Sequence, residues 1–187
     1  MPEIYILVEG KLIEYSGLMD VRGFNKMLDT FFKEKLYDKR EQKNYEEVFE
    51  DGKQITIEMF PYKKISDNIM FEIRLFMIFQ RLKEIEIEKS GRKVKLLRGK
   101  VMISMDGYVI SDYENKWDKT PFWYFLRVIF DKYFYRNYIS DARKEFLTEC
   151  TLLEDEINSF LNMFRYIGEL KQTAPWYPDK PPLHDRE

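Results

Sequence analysis

Hydrophobic and polar positions alternate with two different periods along this chain, and the change of period separates a strand-rich body from a helical end. Ile4-Tyr5-Ile6-Leu7-Val8 is an apolar, β-branched run that reads as a strand, which can continue past Gly10 through Leu12-Ile13-Glu14-Tyr15 with the glycine at a bulge or bend. Across 22–37 the period becomes helical: Phe24, Met27, Leu28, Phe31, Phe32 and Leu36 share one side, with Asp20 placed to cap. Charged residues over 38–43 read as a solvated connection. Asp51-Gly52 then marks a hairpin between arms at 45–50 and 53–64. On the second arm Ile55, Ile57 and Met59 define one buried face, and Pro61 turns its far end into an edge or a bend. Two long extended segments follow, 69–89 and 92–113, joined at Ser90-Gly91. Ile69, Phe71, Ile73, Leu75, Met77 and Phe79 fall on one face of the first; Met70, Glu72, Arg74, Phe76, Ile78 and Gln80 fall on the other.

The helical end spans 120–168. Thr120 and Pro121 suit an N-cap and a first helical position, and Phe146, Cys150, Leu153, Ile157, Phe160 and Phe164 recur at helical spacing. Length limits both regions. A strand of about 22 residues reaches roughly 70 Å, and an unbroken helix over 120–168 reaches about as far. A compact domain of this size is roughly 40 Å across. The strands must therefore bend, at Gly99, Gly107 and the slip in alternation around Gln80-Arg81-Leu82, and the helix is expected to break near Asn137-Tyr138-Ile139-Ser140. Together the elements predict an α+β fold: a curved antiparallel sheet packed on a long C-terminal helix, with one N-terminal helix. A single domain over 1–170 is followed by a Pro-rich extended tail over 171–187, which contains Pro175, Pro178, Pro181 and Pro182.

Composition narrows the chemistry more than it names it. The 187 residues are 44% hydrophobic and 34% charged, which suits one folded domain. A net charge of -2 supplies no global attraction for nucleic acid. Cys150 is the single cysteine, so no internal disulfide can form, in keeping with a reducing, cytoplasmic setting; neither a leader pattern nor an apolar run of membrane-spanning length is expected. Abundant Lys, Glu and Ile beside one Cys and one His suggest a thermophilic source. The only histidine, His184, lies in the tail, which removes Ser-His-Asp and Cys-His arrangements and soft metal sites from the folded body. No phosphate-cradling glycine loop occurs, and nothing calls for a cofactor. The balance points away from an enzyme.

The order of elements (strand, amphipathic helix, meander of long bent strands, long C-terminal helix) resembles the helix-grip arrangement of START-like (SRPBCC) domains over about 4–168. That resemblance implies a sheet gripping the last helix around an apolar ligand cavity. Its first functional expectation is a non-catalytic binding module for an apolar or amphipathic small molecule held between sheet and C-terminal helix. Phe71 and Ile73 would line the cavity, Trp123 would sit near its mouth, and Glu72 with Arg74 would anchor a head group; alternatively those two charges face solvent and pair across strands. A second expectation is a protein-interaction or scaffold protein, monomer or homodimer, acting through its surface, the helical stripe or the tail with Trp176 and Tyr177. A third is RNA or ribosome contact through a basic hairpin tip carrying Arg92, Lys93, Lys95 and Arg98, whose charges could equally pair with Glu84, Glu86 and Glu88.

Overall fold

The computed structural model describes residues 3–66, 68–89, 92–111, 113 and 136–172. Six strands and two helices are present among them, in the order β1 (Glu3–Met19), α1 (Val21–Glu34), β2 (Glu41–Phe49), β3 (Gly52–Met59), β4 (Tyr62–Lys64), β5 (Ile69–Lys89), β6 (Arg92–Ser111) and α2 (Arg136–Gln172). The strands form one antiparallel sheet in the order β1-β6-β5-β3-β2, and β4 pairs with β5 in line with β3. The fold is α+β. The helix expected to open at Thr120 and the tail beyond Gln172 lie outside the described residues.

The two long strands bend where their alternation slips. The β5–β6 register shifts between Gln80 and Lys83, and Arg81 adopts a left-handed φ of 52°. Gly99 makes this bulge possible from the neighbouring strand, because a Cβ there would come within 2.6 Å of the Gln80 carbonyl oxygen. β1 bends likewise, with shifts between Ile6 and Lys11 around Gly10, whose φ is 58°. The β2–β3 turn sits one residue earlier than Asp51-Gly52 suggests. Phe49 pairs with Gly52, so Glu50 and Asp51 form the loop. Gly52 is required in the strand itself, since a Cβ there would meet the Arg81 backbone at 2.9 Å.

Asp20 caps α1, its Oδ1 accepting the Gly23 N–H at 3.0 Å. Val21, Phe24, Leu28, Phe31 and Phe32 form the buried side of α1, whereas Leu36 is 78% exposed. Leu36 lies past the helix end, at φ 62°, in a Schellman turn: its N–H donates to Lys33 and the Tyr37 N–H donates to Phe32. The expected connection at 38–43 is partly strand, because β2 begins at Glu41. The single buried face expected for β3 is also incomplete: Thr56 and Glu58 are as buried as Ile57 and Met59. Glu58 tolerates burial because Lys43 and Arg74 both reach it.

The inner face of β5 is fully enclosed; Ile69, Phe71, Ile73, Leu75 and Met77 have no exposed surface. They share one hydrophobic cluster with Val101, Ile103 and Met105 of β6, Phe24 and Leu28 of α1, and Phe146, Cys150, Leu153 and Ile157 of α2. Individual rings record the contacts: Phe71 lies 4.9 Å from Phe146, and Phe24 lies 6.0 Å from Phe79 and 5.7 Å from Phe160. α2 starts at Arg136, beside the expected break, and is helical through Asn137 and Ser140; the stretch that would carry the preceding helix lies outside the described residues. At 37 residues α2 is about 55 Å long, longer than a domain body, which a helix can be when only part of its length needs cover.

Candidate functional site

The β5–β6 hairpin outruns its neighbours. Pairing with β3 ends at Lys53–Leu82 and pairing with β1 ends at Met19–Leu97, so beyond those points the hairpin has no further strand beside it among the described residues. At the same end the chain turns from β1 into α1 through Asp20. The gap between this corner and the bulged hairpin is a half-open cavity of about 260 Å³. Its floor is apolar, with Met19, Val21, Leu82 and Leu96 buried and Ile55 half-buried. Asp20, Arg22, Glu46, Lys53, Glu84 and Lys95 ring it. Lys53 is tied to Glu46 at 3.1 Å and Asp20 to its own helix; Arg22, Glu84 and Lys95 have no ion-pair partner among the described residues. An apolar floor under a rim of both charges suits the tail and head of an amphiphile.

Two polar clusters lie elsewhere. The first crosses the outer face of the sheet. Lys43 of β2 contacts Glu58 of β3 at 2.8 Å, and Glu58 accepts from Arg74 Nε of β5 at 2.9 Å. Arg74 Nη1 donates to Asp106 of β6 at 3.0 Å, and Asp106 accepts the Gly10 N–H of β1 at 2.6 Å. Hydrogen bonds from Lys43 hold the Glu58 carboxyl below its usual range against the opposing effect of burial, with Arg74 adding to the depression. The second cluster is internal. Tyr37 donates to Glu149 at 2.7 Å, Lys63 approaches the other oxygen at 2.8 Å, and this Lys lies 5.6 Å from the Tyr37 ring. Burial, then the hydrogen bond to Glu149, push the Tyr37 hydroxyl far above its ordinary value. Burial also pushes the neighbouring Cys150 thiol up to about 12. Among the described residues no set of His, Cys, Asp and Glu side chains converges as a metal site.

The residues singled out in the sequence are dispersed by the fold. Phe71 and Ile73 are fully buried in the hydrophobic cluster, on the inner face. Arg74 is on the outer face, and its guanidinium is engaged by Glu58 and Asp106. Glu72 is half-buried on the same face; burial raises its carboxyl above the ordinary value, opposed by the charge of Arg40. Glu72 and Arg74 therefore do not form a pair. Lys95 borders the cavity, Arg98 is exposed beside it in sequence, and the side chains of Arg92 and Lys93 lie outside those described, as does Trp123. The register sets Lys95 opposite Glu86 and Lys93 opposite Glu88. Sequence reasoning missed the cavity because its walls come from six elements, β1, α1, β2, β3, β5 and β6; the bulge at Gln80-Arg81-Leu82 was the one local signal. No helix among the described residues is long and apolar enough to cross a membrane. Comparison with protein-family models, with curated proteins and with solved structures finds no match for this chain.

Proposed function

We propose that the protein binds a small amphipathic molecule in the cavity between the β1–α1 corner and the bulged β5–β6 hairpin, within a START-like, helix-grip arrangement of sheet and C-terminal helix. The observation that carries this reading is the pairing of an apolar floor (Met19, Val21, Leu82, Leu96) with a rim on which Arg22, Glu84 and Lys95 have no ion-pair partner among the described residues. The volume, about 260 Å³, suits a compact ligand or the end of a longer chain. Binding places the tail against Leu82 and Leu96 and leaves the head among the rim charges, where a carboxylate, an amine or a zwitterion each has a complement. The contact between the buried rings of Phe71 and Phe146 supports a site at the end of the cleft rather than in its middle.

Native mass spectrometry and thermal shift with medium-chain carboxylates, amines and zwitterions test the proposal. An adduct and a raised Tm are expected with at least one head-group class, and both should vanish in Ile55→Trp, which fills the cavity from its half-buried wall. No adduct with any class, or adducts that survive Ile55→Trp in a folded protein, would overturn it. A protein-interaction role is the second reading, favoured by the nine consecutive exposed residues of β2. Contact with RNA through Arg92, Lys93, Lys95 and Arg98 has less support, since the register opposes Lys93 and Lys95 with glutamates.

A further inference from the structure

The two sheet edges are protected differently. β1 is an edge strand broken by register shifts between Ile6 and Lys11, which bend its backbone away from straight pairing. β2 closes the other edge, and its pairing with β3 is regular from Lys43 to Phe49. All nine of its residues are exposed, including Tyr45 at 47%, Phe49 at 52% and Val48 at 73%. Its outer backbone groups therefore form a straight, unpaired ladder among the described residues, and an unprotected edge of this kind is a template for another strand.

The sequence of β2 selects the strand that fits. Antiparallel pairing of two copies about a two-fold axis sets residue i of one opposite residue j of the other, with i + j constant. Keeping the same sheet face outward on both copies requires that constant to be even. Centring on Tyr45 sets Lys43 of each protomer opposite Glu47 of its partner, twice over, and Tyr45 opposite its own counterpart. Neighbouring symmetric registers are worse. Centring on Glu46 opposes that glutamate to itself, centring on Asn44 sets Glu41 against Glu47, and centring on Lys43 opposes two lysines. Glu47 has no ion-pair partner among the described residues, and Lys43 is 55% exposed while holding Glu58, so both can reach across.

We propose that β2 is a self-pairing edge, and that two copies join through it in the Tyr45-centred register to make one continuous twelve-stranded sheet, twice the six of one protomer. Nine-residue edges bury less than a standard protein–protein interface, so the dimer is weak and depends on concentration. The proposal does not rest on ligand binding at the cavity, on whose rim Glu46 of β2 lies.

Analytical ultracentrifugation of the full chain over a wide concentration range tests the association, and a cysteine series tests the register. Cys150 is buried, so single substitutions Gln42→Cys, Asn44→Cys, Tyr45→Cys, Glu46→Cys and Val48→Cys supply the only accessible thiols among the described residues. Mild oxidation should give covalent dimer predominantly from Tyr45→Cys, because that position alone faces its own counterpart within disulfide reach. Glu47→Lys should weaken the reversible dimer roughly tenfold or more by placing lysines opposite one another. A protein that stays monomeric at every concentration would overturn the proposal. So would cross-linking that is uniform along the series, or a dimer that Glu47→Lys leaves unchanged.

Discussion

Leu36 carries a side chain in a position that suits glycine. It holds φ 62° at the end of α1, is 78% exposed, and buries little in return for the left-handed backbone. The turn is fixed from its flanks, because Tyr37 donates its N–H to Phe32 and rests 5.9 Å from that ring. Leu36→Gly should therefore stabilise the protein by about 1 kcal/mol, seen as a higher Tm, with the helix unchanged by circular dichroism. An unchanged or lower Tm would mean that the added freedom of the unfolded glycine outweighs the relieved strain. In the sequence Leu36 fits the helical spacing, and nothing in that spacing reveals that the chain has already left the helix. Cys150 was legible: its place on the apolar stripe implied an inert thiol. It is 2% exposed and its pKa is pushed up to about 12, so Ellman's reagent at pH 8 should label it only at the rate of unfolding.

Among the elements, long strands were easy to read and their partners were not. Alternation over 69–79 separated the two faces of β5 without saying which is inner, and the slip at Gln80-Arg81-Leu82 located the bulge, because a break in a period-two pattern is a local event. Gly99 is its counterpart on β6. Gly99→Ala would drive a Cβ to 2.6 Å from the Gln80 carbonyl oxygen, a backbone atom that cannot swing aside. It should cost roughly 2–3 kcal/mol in urea unfolding, more than an alanine gains by stiffening the unfolded chain. Since Leu82 forms part of the floor, the same variant should also weaken any amphiphile bound in the cavity. The stripe on α2 shows how far a spacing argument reaches. Phe146, Cys150, Leu153 and Ile157 are buried as read, but the next buried residue is Leu161, with Phe160 only half-buried. Burial at 157 and then 161 is a four-residue step where the heptad pattern calls for three, which favours packing along a single helix face over a long supercoiled partner.

Across the whole sheet, Lys43, Glu58, Arg74, Asp106 and the Gly10 N–H link all five strands of the main path, β2 through β3, β5 and β6 to β1. Arg74 could be placed from sequence on the face opposite Phe71, but its partners lie 16 and 32 residues away. Only the register brings them together, so the sequence could offer cross-strand pairing of Arg74 as an alternative without naming Glu58 or Asp106. The chain of contacts makes stability depend on pH. Glu58 is 4% exposed, and hydrogen bonds from Lys43 and Arg74 hold its carboxyl below the ordinary value of 4.5. A depressed folded pKa means that the unfolded chain takes up the proton first on acidification. The stabilisation is therefore complete above about pH 4.5 and is lost as pH falls through the lower, folded value. Urea midpoints measured from pH 7 down to pH 3 should fall more steeply for the native protein than for Glu58→Gln, which cannot titrate. Parallel curves would remove Glu58 from the acid transition. Arg74→Met tests the same chain from its centre. It leaves Glu58 and Asp106 buried without their shared cation, and should cost about 3 kcal/mol at pH 7, less at pH 4 where a carboxylate deprived of Arg74 can protonate at little expense.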